Sequence, residues 1–401
     1  MSSNHDQTNP ANPTSTTQDA PAKPQGALSG VRVLDMTAIG MGPLCTQTLG
    51  DYGANVIKIE SAGGDVFRHA SPTQVPAMGA PFLQFNRNKR SLVLNLKTPE
   101  DLKTLLDLAK DADVLIFNIR PQSMRKLGLG FEELAALNPR LIYCGVYGYS
   151  EQGTYAGEPA YDDIIQAVGG LAHLQGRGQA PSFVTSIIAD KIAGLTATHA
   201  ILAALYERSS SGKGQAIEVP MFETLVAFNM MEHMSEATFA KPQPQMGYAR
   251  AVSPHRRPYR TQDGFIGLMP YTTEQWQRFF ELVGQPDVMQ DARFSTASSR
   301  AQHVDELYTM LAEHVTTKTT DEWLTLLKQA DIPSGRVNSL NDLLENEHLA
   351  SVGFFERFED PTLGTVVLPK SPVNLSRTPT SVNRLAPQLG EHTDEIKQNG
   401  W

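Results

Sequence analysis

Asp190 is the residue of this chain best placed for covalent chemistry. The stretch before it, residues 183–189, is apolar and rich in β-branched side chains and predicts a buried approach segment. After it Ile192, Leu195, His199, Leu202, Ala203 and Tyr206 recur three or four apart, which predicts a helix running to about Ser209 with this stripe inward. Ser209-Ser210-Ser211-Gly212-Lys213-Gly214 ends it. At the junction Asp190 reads most simply as an N-cap, accepting from the free N–H groups of the first turn and contributing on the order of 1 kcal/mol. The same geometry stabilises the carboxylate anion and offers it to an electrophile, so the structural and the chemical roles are compatible.

Other chemistries lack their residues. No Gly-x-Gly-x-x-Gly follows the first strand, and Gly128-Leu129-Gly130 is a weak substitute. Neither a P-loop nor a Gly-x-Ser-x-Gly elbow is present. The ten histidines show no spacing with cysteines or acids that suits zinc, so no metal is expected, and His199 reads as a packed core residue. Lys89, Arg90, Lys97, Arg120, Arg125 and Lys126 fall at strand ends and loops of the first domain, where phosphates bind. A solvated surface would use the same residues.

The elements that must position these groups form an alternating pattern. Strands are expected at residues 31–36, 54–60, 90–96, 114–119 and 141–147, with helices at 42–51, from the capped start Thr98-Pro99-Glu100-Asp101, and at 131–137. Alternation at this spacing predicts an α/β fold with a Rossmann-like, mostly parallel, helix-covered sheet. Residues 1–27 read as a polar disordered tail without a signal-peptide core. Residues 28–225 form the first part of a large domain. Residues 226–335 form a smaller inserted α+β domain with linkers, opening with a methionine cluster that reads as packing filler. An Asp263-Gly264 hairpin follows, then helices near 274–283 and 320–329. The chain leaves this unit at residues 332–338, and residues 336–401, with a hairpin near Pro361 and a terminal helix, return to the large domain.

Composition sets the class. Of the 401 residues 40% are hydrophobic and 19% charged, and no uninterrupted apolar run reaches the ~18 residues of a membrane span. The net charge of −9 argues against a nucleic-acid binder. Cys45 and Cys144 read as buried free thiols, which favours the cytoplasm.

A shared order of short motifs adds to this. It comprises Leu28-Ser29-Gly30-Val31-Arg32-Val33-Leu34-Asp35, Gly53-Ala54-Asn55-Val56-Ile57-Lys58-Ile59-Glu60, Asn88-Lys89-Arg90-Ser91 with Leu94-Asn95-Leu96-Lys97, Asn118-Ile119-Arg120-Pro121, Lys126-Leu127-Gly128, Asn138-Pro139-Arg140-Leu141-Ile142, Gly212-Lys213-Gly214-Gln215 and Leu389-Gly390-Glu391-His392-Thr393. In that order the chain resembles the family III CoA-transferases, the group that includes formyl-CoA transferase and, as a relative, α-methylacyl-CoA racemase. The resemblance implies an interlocked homodimer and a nucleophilic aspartate at Asp190, ionised at neutral pH. It also implies CoA contacts at Ile39, Gly40, Leu94, Asn95, Leu96, Lys97, Asn118, Ile119, Arg120, Lys126, Glu158, Pro159, Ala160, Tyr161 and Asp162. Coenzyme A enters as substrate, with no prosthetic group and no metal, and the expected partners are an acyl-CoA and a small carboxylic acid, with neither nucleic acid nor membrane. Gly40 and Ser61 depart from formyl-CoA transferase, which carries a glutamine and an arginine there, so formate and oxalate are poor candidates. Tyr161 stands where the racemases carry a histidine, which leaves α-proton exchange as an alternative, beside a CoA-binding protein without catalysis. Arg256, Arg257, Tyr259 and Tyr271 are candidates for an acyl pocket, and their arginines favour a dicarboxylate.

Overall fold

The computed structural model describes residues 26–401, so the tail expected at residues 1–27 lies almost wholly outside the described residues. Strands β1 (Arg32–Met36), β2 (Asn55–Glu60), β3 (Lys89–Val93), β4 (Val114–Phe117), β5 (Ile142–Tyr147) and β6 (Ala216–Pro220) form one sheet in the order 3-2-1-4-5-6. Every pair in it is parallel. Successive residues of a strand point to opposite faces. Val33, Val56, Val114, Ile116 and Cys144 therefore join one core, beneath the helices Met41–Asp51 and Ile188–Ser211. Leu34, Ile57, Leu92, Leu115 and Tyr143 join the other, beneath Pro99–Ala109 and Phe131–Leu137. Burial on both faces explains why these strands read as continuous apolar runs. The third strand ends at Val93, earlier than expected, because residues 94–97 turn away as a loop before Thr98 caps the next helix.

The Ile188–Ser211 helix differs from its expected orientation. Its buried face is made of Ala189, Asp190, Ala193, Gly194, Ala197, Thr198, Ile201 and Ala204. His199 and Ala203 are exposed, as are Leu195 at 54% and Tyr206 at 80%. The physical reason is close approach: a Cβ at Gly194 would lie 2.4 Å from the Met41 carbonyl oxygen, so the two helices meet through small side chains. Hydrophobic bulk thus marked the outer face of this helix in the single chain. The segment before it, expected to be buried, is a partly exposed loop, with Phe183 49% exposed. By length and composition this 24-residue helix, with a mean hydropathy of 1.3 over an 18-residue stretch, is long and apolar enough to cross a membrane, although Asp190 and Lys191 interrupt its apolar run. Its packing against the Met41–Asp51 helix, and the buried Arg208 paired with Asp113, describe the core helix of a sheet domain.

The smaller unit has its own core around Trp276, Phe279, Phe280, Tyr308 and Trp323. Its sheet pairs β7 (Tyr259–Arg260) and β8 (Phe265–Leu268) in the expected hairpin and adds β9 (Ser334–Arg336), antiparallel to β8. The stretch at residues 332–338 therefore completes this sheet before the chain leaves it. Two helices, Ala297–Gln302 and Val304–Val315, were not expected. Tyr259 is 2% exposed in this core, which removes it from any acyl pocket.

After the antiparallel hairpin β10 (Phe355–Asp360) and β11 (Gly364–Pro369), the chain runs along the open edge of β3. The Asn88 N–H donates to the Arg384 carbonyl, the Val93 N–H to the Thr393 hydroxyl, and the His392 N–H to the Ser91 carbonyl. The motif at residues 389–393 thus satisfies backbone groups that an edge strand would leave unpaired.

Candidate active site

Strand order reverses between β1 and β4, and in an open parallel sheet the crevice at such a point is where ligands bind. The turn leaving β1 is held there by groups from several strands. The Thr37 N–H donates to Asp35, and the Thr37 carbonyl accepts from Lys58 Nζ at 2.8 Å. The Ala38 N–H donates to Asn118 Oδ1 at 3.0 Å, and Asn118 Nδ2 donates back to the Ala38 carbonyl at 2.8 Å. The Ile39 N–H donates to Asp65 Oδ1. Asp65 pairs with Lys58 and Asp35 with Lys89, and all four side chains are fully buried. Burial takes the Lys89 ammonium down to about 8, although Asp35 opposes the fall. So many fixed partners allow Ile39, a β-branched residue, to sit at φ 70°, where it is strained.

This turn presents Gly40 to Asp190. A Cβ on Gly40 would come within 2.5 Å of Asp190 Oδ2, so glycine is what lets the backbone lie against the carboxyl group. Asp190 is 6% exposed and occupies the third position of its helix. The N-cap is Ile187, whose side chain makes no capping bond, so the capping role expected of Asp190 is not found. Instead the Asp190 N–H donates to Asp162 Oδ1 at 2.9 Å, and Asp162 Oδ2 accepts from Gln166 Nε2 at 2.6 Å. Burial, and second the charge of Asp162, push the Asp190 carboxyl up to about 7. This departs from the expectation of an aspartate ionised at neutral pH, because burial and the neighbouring charge both favour the protonated form.

Two cavities meet at the turn. One, of about 280 Å³, is lined by Asp190 together with Ile39, Gly40, Asn118, Arg120 and residues 158–161. The other, of about 700 Å³, is lined by residues 94–97, Asn118, Ile119 and the loop 60–65. Ala38 and Asn118 line both. Thirteen of the fifteen expected CoA contacts therefore border this pair of adjoining cavities (Ile39, Gly40, Leu94, Asn95, Leu96, Lys97, Asn118, Ile119, Arg120, Glu158, Pro159, Ala160 and Tyr161). Asp162 lies behind it and Lys126 borders neither cavity, although its neighbour Leu127 does. Of the basic residues, Lys89 is buried against Asp35, Arg90 pairs with Glu395 and Arg125 with Glu151. Lys97, Arg120 and Lys126 are exposed. Sequence reasoning missed Lys58, Asp65 and Gln166. Lys58 lay in a motif read only for its pattern, Asp65 lay outside every motif, and Gln166 carried no signal, because a lone glutamine on a helix is ordinary.

The description of CoA-transferase family III matches residues 28–393. The chain belongs to this family. It is an enzyme of the family, and the thioesters of coenzyme A are the substrates of such enzymes. It is 31% identical to the mouse (Mus musculus) succinyl-CoA:glutarate CoA-transferase over 92% of this chain and 85% of that protein. It is also 31% identical to a formyl-CoA:oxalate CoA-transferase of Rhodopseudomonas palustris, strain BisA53, over 92% of each. A crystal structure of a CAIB/BAIF family protein from Brucella suis superposes with a TM-score of 0.79 at 29% identity, covering 94% of this chain and all of that one.

Proposed function

We propose that the enzyme moves CoA from an acyl-CoA to a free carboxylate through Asp190. The observation that carries this reading is a buried carboxyl, pressed against a glycine turn, that lines the smaller of two cavities adjoining at the switch point. The larger cavity suits the nucleotide end of CoA and the smaller one the pantetheine arm, which brings the thioester to Asp190. The ionised Asp190 attacks the thioester carbonyl, the C–S bond breaks and CoA leaves as thiolate, giving an aspartyl-acyl anhydride. The thiolate then attacks the Asp190 carbonyl, releasing the donor acid and leaving an enzyme thioester. The acceptor carboxylate attacks that thioester, re-forming an anhydride and the thiolate. Attack of the thiolate on the acceptor's acyl carbon finally yields the new acyl-CoA and free Asp190. One thioester replaces another, so no ATP is needed, and burial of Asp190 protects the anhydrides from water.

The donor and acceptor we favour are short dicarboxylates and their CoA esters, in keeping with the succinate and glutarate in the names of relatives. The exposed apolar surface of Leu195, Tyr206, Phe228 and Met231 supports a homodimer, because that much bulk on adjoining helices is costly in water. Proton exchange at the α-carbon is disfavoured. Tyr161 is 69% exposed, and both oxygens of Asp162 already accept hydrogen bonds.

The test is incubation in D2O of succinyl-CoA with a panel of carboxylates, read by mass spectrometry of the CoA esters. The expected result is a new ester of the added acid, absent with Asp190→Ala of unchanged circular dichroism. Transfer by that variant, or deuterium at the α-carbon without a new ester, overturns the reading.

A further inference from the structure

Asp65 stands at the end of the loop 60–65, which lines the larger cavity, and its fully buried side chain reaches back to the turn that presents Gly40 to Asp190. Oδ1 accepts from the Ile39 N–H at 3.1 Å and from the Phe67 N–H at 3.0 Å, and Oδ2 lies 2.9 Å from Lys58 Nζ. The bond to Phe67 is an ordinary N-cap on the short helix Val66–His69. The bond to Ile39 belongs to no helix or strand and spans 26 residues of chain. It falls on the residue held at φ 70°, one position before Gly40.

The other supports of the turn hold different atoms. Lys58 Nζ donates to the Thr37 carbonyl, and Asn118 takes both backbone polar groups of Ala38. Among the described residues the partner of the Ile39 N–H is Asp65. Without it that N–H would lose its bond, and Ile39 would be free to leave a backbone conformation that β-branched residues rarely adopt. Asp65 is itself fixed from behind. Its N–H donates to Glu60 Oε1 at 3.0 Å, and Glu60 Oε2 accepts from Arg68 Nη2 at 2.6 Å and from Ser91 Oγ at 2.7 Å. Ser91 Oγ accepts in turn from the Gly390 N–H at 2.9 Å. A run of hydrogen bonds thus leads from the C-terminal motif at residues 389–393 to the backbone that lies against Asp190.

We propose that Asp65 is a positioning residue for CoA transfer: its bond to the Ile39 N–H holds the strained turn so that the Gly40 backbone stays against the Asp190 carboxyl. This rests on Asp190 being the reactive carboxyl. With 3% of its surface exposed, Asp65 offers CoA little to touch, so its loss acts on turnover and not on the binding of acyl-CoA.

The test compares Asp65→Asn with Asp65→Ala. Both give up the pairing with Lys58 and should lose stability, but asparagine keeps an oxygen for the Ile39 N–H and alanine does not. Transfer is followed from succinyl-CoA to whichever acid of the carboxylate panel reacts fastest, well below both melting temperatures. Asp65→Ala is expected to lower kcat at least about tenfold with KM for succinyl-CoA within about threefold of wild type, and Asp65→Asn to lose less than about threefold in kcat. A purely structural role would lower both melting temperatures and leave the two kcat values equal. Equal kcat in the two variants, or a loss confined to KM, overturns the proposal. The same pair is compared without substrate by amide hydrogen exchange over residues 37–41, which should quicken in Asp65→Ala and hold in Asp65→Asn; exchange alike in both also overturns it. If Asp65→Ala does not fold, Asp65→Ser takes its place with the same outcomes, since its hydroxyl, one bond shorter, can cap Phe67 but gives up Ile39. An enzyme that transfers no CoA would sink the functional reading, and the exchange contrast would then still decide whether Asp65 holds the turn.

Discussion

Replacing Asp190 by asparagine keeps the shape of the side chain and removes its charge, and the structure predicts that this stabilises the protein at neutral pH and above. The folded carboxyl titrates at about 7 against an ordinary value of 3.8, raised chiefly by burial and then by Asp162. A carboxyl raised in the folded state favours folding below its unfolded value, and this advantage is lost as pH rises through the folded value. About three pKa units at ~1.4 kcal/mol each amount to on the order of 4 kcal/mol, with roughly a third lost by pH 5 and most of the rest by pH 8. The asparagine variant bears none of this loss. Its lead over wild type should therefore widen by about 2–3 kcal/mol between pH 5 and pH 8. At ~2–4 °C per kcal/mol for sizeable domains, that is a widening of about 4–12 °C in melting temperature. The assay is a melting series of both proteins across pH 5–8 in matched buffers, where groups common to the two cancel. A difference that stays constant or narrows as pH rises would refute the argument, because it would mean that water reaches the carboxyl as freely in the folded chain as in the unfolded one.

Two further expectations concern the turn and the outer helix face. Gly40→Ala places a methyl group within 2.5 Å of Asp190 Oδ2, and should cut kcat at least about tenfold, since a displacement of ~1 Å at the reacting centre is costly, while the melting temperature changes little. Wild-type kcat in that variant would show that the turn is free to move. Leu195→Asp with Met231→Asp places charge on the exposed apolar surface, so light scattering should give the chain mass, where wild type gives twice that mass. Retention of the doubled mass by the variant would place the dimer contact elsewhere.

Much of this enzyme was legible in its sequence because the relevant signals are local. The strand and helix alternation of the first 150 residues depends on apolar runs and turn residues, and the Thr98-Pro99 start depends on one cap, so neither needed the rest of the chain to be read. The position of Asp190 at a helix entry was equally local. The tertiary structure decided what depends on neighbours from distant segments. It turned the Leu195 and Tyr206 face of the central helix outward, because Gly194 and the alanines beside it were needed for contact with Met41. Lys89 went from an anion-binding candidate to a buried partner of Asp35, since two strands bring the pair to 3.0 Å across 54 residues of chain. The shift of the Asp190 carboxyl has the same origin. Its type and position in the chain predict an ordinary carboxylate, whereas burial and an acid 28 residues earlier raise it to about 7, and desolvation and Coulomb repulsion are properties of assembled space.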